Sequence, residues 1–276
     1  MKKRRFLKVS LSTILALACL GGNVGAISYT GLGEVTYITR DDIGTGLTYS
    51  SYTAQDSSGR KQSAYCMLYD PSAGGVLPII DYGEKIYGRD RIGSMVARIG
   101  SGNIPVLGAI NGDFFSMQTG VPIGVMISGG KLVSTDDGKY SIGFSKTGQA
   151  AIGKPGVHIY LKGNNGAIEI DQLNKYPTIW GSYLVTEDFA STTLSAVESL
   201  EIVLDLQGAD ITPSGTIGCV IRDIFTGESN SPIPEGCAVL RGIQMEGPYF
   251  SYKKRGAQNA EYLKEPDFEG FKALYE

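Results

Sequence analysis

Histidine is almost missing from this sequence. A single imidazole, His158, in 276 residues leaves a Ser-His-Asp hydrolytic site only one geometry. Zinc or iron catalysis, which needs about three N, O or S ligands and an open position, has little to draw on. Cysteine is scarce too: Cys19, Cys66, Cys219 and Cys237 are the four in the chain, with no metal-type spacing, so neither a zinc site nor a disulfide scaffold is expected. No metal and no other cofactor is expected. Positive charge is not in excess, with 25 Lys and Arg against 28 Asp and Glu, which argues against nucleic acid as partner. No apolar run approaches the ~20 residues of a membrane span. No alternation of helical and strand patterns supports a doubly wound parallel sheet.

An apolar content of 42% is ordinary for a globular protein and sufficient for a core. The length suits one large domain or two small ones. Residues 1–26, "MKKRRFLKVSLSTILALACLGGNVGA", read as a secretory signal. Lys2, Lys3, Arg4 and Arg5 precede an apolar run from Val9 to Leu20, and Val24-Gly25-Ala26 offers a cleavage point. Cys19 after Ala-Leu-Ala is a poor match to a lipoprotein site. Removing the leader leaves 20 basic against 28 acidic side chains, a charge of about −8, and three cysteines. The expectation is a bacterial protein that is secreted or held at the cell surface, with no stable membrane span once the leader is gone.

Residues 27–60, rich in Gly, Ser, Thr and Tyr, read as a lead-in or an edge strand. Beyond them short apolar runs alternate with turns. In "RDRIGSMVARIGSG", Ile92, Met95, Val96 and Ile99 recur at helical spacing before Gly100 and Gly102, predicting a helix packed on a sheet. "IPVLGAIN" reads as a buried strand. "VPIGVMISGGKLVS", "SIGFSKTGQAAIG" and "VHIYLKGNNGAIEID" read as three hairpins, the last with Val157, Ile159 and Leu161 on one face. Two or three more strands follow in "SLEIVLDLQGADITPSGTIGCVIRDIF". The fold class expected is α+β, mostly antiparallel sheet with one or more packed helices.

The segment "GAINGDFFSMQTGVPIG", 108–124, carries the chemistry. Asn-Gly-Asp after a strand is a sharp turn: Gly112 tolerates positive φ, and Asn111 and Asp113 can point off the sheet into a cleft. Of Phe114 and Phe115, one can face the core and the other the cleft, where a ring could stack on a sugar. A plainer reading is a hairpin corner in which Asp113 makes local backbone hydrogen bonds.

"AINGDFF" followed by "GVPIGVMISGG" resembles the signature of the phosphodiester glycosidase family, whose members include the activity that removes N-acetylglucosamine from a phosphodiester to uncover mannose 6-phosphate. The resemblance runs over about 60–240, through "SIGFSKTGQAAIG", "NKYPTIWGSYLVTEDFASTT" and "SPIPEGCAVL". It implies hydrolysis of a glycosyl phosphodiester. Phosphate is already a good leaving group, so the demand shifts to a carboxylate that activates water and to donors that hold the anion. It implies Asp113 and Asn111 as catalytic residues, with Phe115, Gly112 and Gly124 shaping the pocket for a carbohydrate or sugar-phosphate substrate. The family's later Gly-Gly-x-Pro segment, its arginine followed by Thr or Ser, and its Asp-Gly-Gly-Gly-Ser loop have no counterpart here.

Residues 241–276 begin "RGIQMEGPYFSYKKRGAQ" and are similar to an internal piece of N-acetylglucosamine-6-phosphate deacetylase. Gln244 stands where that family has histidine, and Glu246 where it has a metal-binding glutamate. One carboxylate is not a metal site. The expected organisation is therefore a leader, a lead-in, the N-terminal part of a glycosidase-like domain over 61–240, and a deacetylase-like fragment. Three functions remain open at this stage: an exported sugar-phosphate hydrolase, an inactive carbohydrate-binding or cell-wall module, and a chimeric fragment.

Overall fold

The computed structural model describes residues 28–29, 33–136, 138–164, 166–176, 181–194, 199–228 and 230–243. The expected leader and residues 244–276, Gln244 and Glu246 among them, lie outside these. Fifteen strands and one helix occur among the described residues. The α+β expectation is thereby corrected: the architecture is essentially all-β. The core is made by strands and the loops between them, whereas the helix has no fully buried residue. One stretch of helical periodicity does not make a layer of helices. The chain divides into two units. One holds the residues up to Pro78 with Val106–Gly108 and Phe144–Ala150; the other holds Ile79–Pro105, Ala109–Gly143 and the chain from Ala151 onward.

In the first unit, β1 (Ser28–Tyr29), β2 (Gly33–Gly44), β3 (Leu47–Gln55) and β4 (Lys61–Tyr69) form an antiparallel meander in that order. The stretch expected as a lead-in or edge strand is thus most of a sheet, with β3 inside it. Its Thr and Tyr content suits a pleated surface. Ser50, Tyr52 and Ala54 are buried while their neighbours are not, the period of two that a one-faced strand requires. Turn chemistry sets the register. Gly46, at φ 75°, supplies the left-handed residue between β2 and β3. Between β3 and β4, Asp56 Oδ1 accepts from the N–H groups of Ser58 and Arg60, each at 2.9 Å.

In the second unit, α1 (Ile92–Ser101) shows its predicted stripe, since Ile92, Met95, Val96 and Ile99 are its half-buried apolar residues. Arg98 ties it to Asp81 and Asp90, at 2.6 and 3.3 Å. "IPVLGAIN", expected as a buried strand, forms no strand, and Ile104, Leu107 and Ile110 are 55%, 42% and 75% exposed. Apolar runs form strands only where a ladder partner exists, and these residues pair with none of the described strands. The hairpin expectations hold. β5 (Met126–Ser128) and β6 (Lys131–Ser134) meet at Gly129-Gly130, both at positive φ. β7 (Ser141–Phe144) pairs with β8 (Ala150–Gly153), and β9 (Ile159–Lys162) with β10 (Ala167–Ile170).

The main sheet has the order β11 (Gln172–Leu173), β12 (Gly181–Thr186), β15 (Cys237–Ile243), β13 (Ser199–Asp205), β14 (Val220–Glu228), antiparallel except for β11 beside β12. It is buried on both faces, which is why its central strands read as nearly unbroken apolar runs. Val185, Val203, Cys237 and Val239 pack on one side with Ile86, Val121, Val133 and Phe189. Leu184, Ile202, Leu204, Ala238 and Leu240 pack on the other with Leu132, Ile168, Ile170 and Leu173. Val157, Ile159 and Leu161 add to this second cluster.

Two charges interrupt the first face. Glu201 and Arg241 lie directly opposite one another on β13 and β15, fully buried, with Arg241 Nε 2.5 Å from Glu201 Oε1. Arg241 also donates to the Thr193 carbonyl and to Ser199 Oγ, at 3.3 and 2.9 Å. The boundary expected at residue 240 therefore falls within a central strand whose pairing runs on through Ile243.

Candidate functional site

The segment 113–124 folds back on itself. Phe115 bridges Pro122, the Ser116 N–H donates to the Val121 carbonyl at 2.9 Å, and the Ile123 N–H donates to the Phe114 carbonyl at 3.0 Å. Asp113 closes the open end of this small hairpin. Its Oδ1 accepts from the Phe114 N–H and its Oδ2 from the Gly124 N–H, both at 2.7 Å. This is the local backbone bonding that the plainer reading anticipates, and it places the carboxylate on an exposed surface. A charged acceptor for two N–H groups is held more firmly than a neutral one would be.

The structure brings Asp113 and Gly124 together and sets Asn111 and Gly112 beside them in the chain, exposed on irregular backbone. Gly112 is not at positive φ, and a Cβ there would meet nothing, so the freedom expected of it is not used. Gly124 is needed for a different reason: a Cβ would lie 2.7 Å from Asp113 Oδ2. Of the two rings, neither enters the core; Phe114 is 83% exposed and Phe115 39%. Both rings therefore remain at the surface rather than dividing between core and cleft, beside the exposed Met117 and Ile123.

Two anchors hold the corner. Lys175 Nζ donates to the carbonyls of Pro122, Ile123 and Gly124 at 2.7, 2.9 and 2.9 Å. Its neighbour Asn174 is fully buried, with Nδ2 bonded to the Val133 carbonyl and to Thr186 Oγ1, and Oδ1 accepting from the Thr186 N–H. At the other end of the hairpin Gly120, at φ 78°, lies directly against the Gly88 carbonyl, whose residue donates its N–H to the Thr119 carbonyl at 2.8 Å. Lys175 was not legible as a site residue; a lone lysine between Asn and Tyr carries no spacing that points to carbonyls 51 to 53 residues away.

A second polar cluster, formed by residues far apart in the chain, has no local sequence signature either. Tyr82 donates to Asp188 Oδ1 at 2.8 Å, Lys131 lies 2.7 Å from Asp188 Oδ2 and 3.2 Å from Asp210, and Thr186 Oγ1 donates to Asp188 Oδ2 at 3.1 Å. Burial opposes the charge on Asp188, yet the bonds from Lys131, Tyr82 and Thr186 outweigh it and hold the carboxyl below its usual range. Burial and the Asp188 carboxylate push the Tyr82 phenol well up. Lys131 is raised as well, its partial burial being more than offset by Asp188 and Asp210. The cluster clamps the 82–88 loop to β6 and to the end of β12.

Among the described residues no three His, Cys, Asp or Glu side chains converge as a metal site. No described helix is long and apolar enough to cross a membrane. No protein-family model matches the chain, and no curated protein matches it. It is similar in fold to a solved structure, the crystal structure of a hypothetical protein from Synechocystis, with a TM-score of 0.54 and 16% identity. The match covers 77% of this chain and 38% of that one, so this chain spans well under half of its length. At that identity the likeness concerns the fold alone.

Proposed function

We propose that the chain is a phosphodiester glycosidase-like protein that acts outside the cytoplasm on a glycosyl phosphate linkage, with the 111–124 corner as its sugar-facing surface. The observation that carries this reading is the folding of the motif residues into one closed corner. Asp113 stands outward there, tied to Gly124, with the exposed rings of Phe114 and Phe115 in the same hairpin. A carboxylate beside aromatic faces is the chemistry that recognises a sugar ring, and the same carboxylate can activate water. In this reading Asp113 is the base, Asn111 binds a sugar hydroxyl, and Phe115 with the Gly112 and Gly124 backbone shapes the seat.

The leading test is release of N-acetylglucosamine from a phosphodiester-linked or UDP-linked donor by the purified chain. Asp113→Asn, which keeps size and one acceptor, is expected to lower the release rate by at least ~100-fold. Release that survives this change removes Asp113 from the chemistry. A second reading, sugar binding without turnover, is favoured by the engagement of both Asp113 oxygens with backbone N–H groups. It predicts saturable binding that Phe115→Ala weakens, with no product formed. The absence of both release and binding of an N-acetylglucosaminyl phosphate would dismiss the two readings together.

A further inference from the structure

Lys175 does more than fasten a loop. The peptide between Ile123 and Gly124 is a single planar unit. Its carbonyl accepts from Lys175 Nζ at 2.9 Å, and its N–H donates to Asp113 Oδ2 at 2.7 Å. The preceding peptide is arranged alike: the Pro122 carbonyl accepts from Lys175 at 2.7 Å, and the Ile123 N–H donates to the Phe114 carbonyl at 3.0 Å. Two chains of hydrogen bonds thus begin at one ammonium, each passing through an amide, and they end on residues 113 and 114. Polarising an amide at its oxygen makes its N–H a better donor, so bonds in series strengthen one another. A cation at the head of the series and an anion at its foot give the direction that gains most.

The lysine is itself well placed to act as a fixed point. It follows Asn174, whose side chain is buried and bonded to β6 and β12. Three carbonyls converge on its head, matching the three donors of an ammonium. Gly124 must be glycine for the carboxylate to come this close, so the geometry at the foot of the series is as constrained as at its head.

We infer that Lys175 is a positioning residue for the Asp113 carboxylate, acting through the Ile123–Gly124 peptide. That its effect reaches a sugar rests on the function proposed above; the positioning itself does not. Backbone amide exchange followed by NMR on wild type, Lys175→Met and Lys175→Arg separates the two. In Lys175→Met the Ile123 and Gly124 amides are expected to exchange about tenfold faster, while amides of β12, β13 and β15 keep their rates. Lys175→Arg, which retains the cation, restores part of the protection. On the glycosyl phosphate donor, the same Lys175→Met change lowers kcat with little change in KM. Where methionine loosens the main sheet too, Lys175→Gln, with a stem and a neutral donor, is read in its place. Wild-type exchange at Gly124 in Lys175→Met, or in Lys175→Gln where that variant is read in its place, overturns the inference. A wild-type chain that neither turns over nor binds the donor defeats the proposed function and leaves the amide result to judge Lys175.

Discussion

Glu201 and Arg241 face each other across β13 and β15 with no exposure of either side chain. Burial pushes the Arg241 guanidinium below its usual value, and Glu201 works in the other direction. A buried pair adds little net stability over apolar packing, but losing one member strands a charge. Glu201→Gln is therefore expected to cost about 3–5 kcal/mol in urea unfolding. Glu201→Leu combined with Arg241→Met should cost less than either change alone; simple additivity of the two would contradict this account. Nothing local in "SLEIVLDL" or "CAVLRGI" announces the partnership, because it depends on a strand order closed by some forty residues of intervening chain. Asp113 stands differently. The sharp turn expected at Asn-Gly-Asp is not formed, local backbone bonding by Asp113 was the plainer reading of that tripeptide, and the bond to Gly124 was not legible.

At the level of elements, the hairpin at Gly129-Gly130 was readable because two-residue connections demand positive φ, whereas the one at Gly46 was not, lying in a stretch read as a lead-in. The one helix among the described residues was readable from its stripe, though not that it would bury none of its residues fully. Residues 104–111 misled because apolar content implies burial only when the backbone also finds a ladder. The 113–124 hairpin depends on close backbone approach at its tip. Gly120 combines φ 78° with the Gly88 carbonyl pressed against the site of a Cβ. Gly120→Ala is expected to cost about 2–3 kcal/mol or more, since both left-handed strain and displaced backbone must be accommodated. A melting temperature within a degree or two of wild type would show that the 82–88 loop is freer than its hydrogen bonds imply.

For the whole molecule, the Tyr82–Asp188–Lys131 cluster makes stability depend on pH. Asp188 titrates lower in the fold than in the unfolded chain. Its contribution is present above its ordinary value of about 4 and is lost as pH falls through the folded value. Tyr82 and Lys131 titrate higher in the fold. Their contribution is present below about pH 10 and is lost as pH rises through the folded values. Denaturant midpoints should thus form a plateau between about pH 4 and 10, falling at both edges. Lys131→Met is expected to lower the plateau and soften both edges; an unchanged profile would mean that the cluster is not coupled to unfolding. None of this was visible in composition, where the 28 acidic residues are indistinguishable from one another.

The burial of Arg241 opposite Glu201 on a central strand has a genetic corollary. If two coding stretches meet at codon 240, reading frame alone would not have made the join viable. Any residue other than a cation at 241 would leave the Glu201 carboxylate buried without its counter-charge, because the register of β15 sets the two opposite one another in the interior. A random donor sequence meets that condition only occasionally, so a strand of this kind acts as a filter on what can be spliced to it.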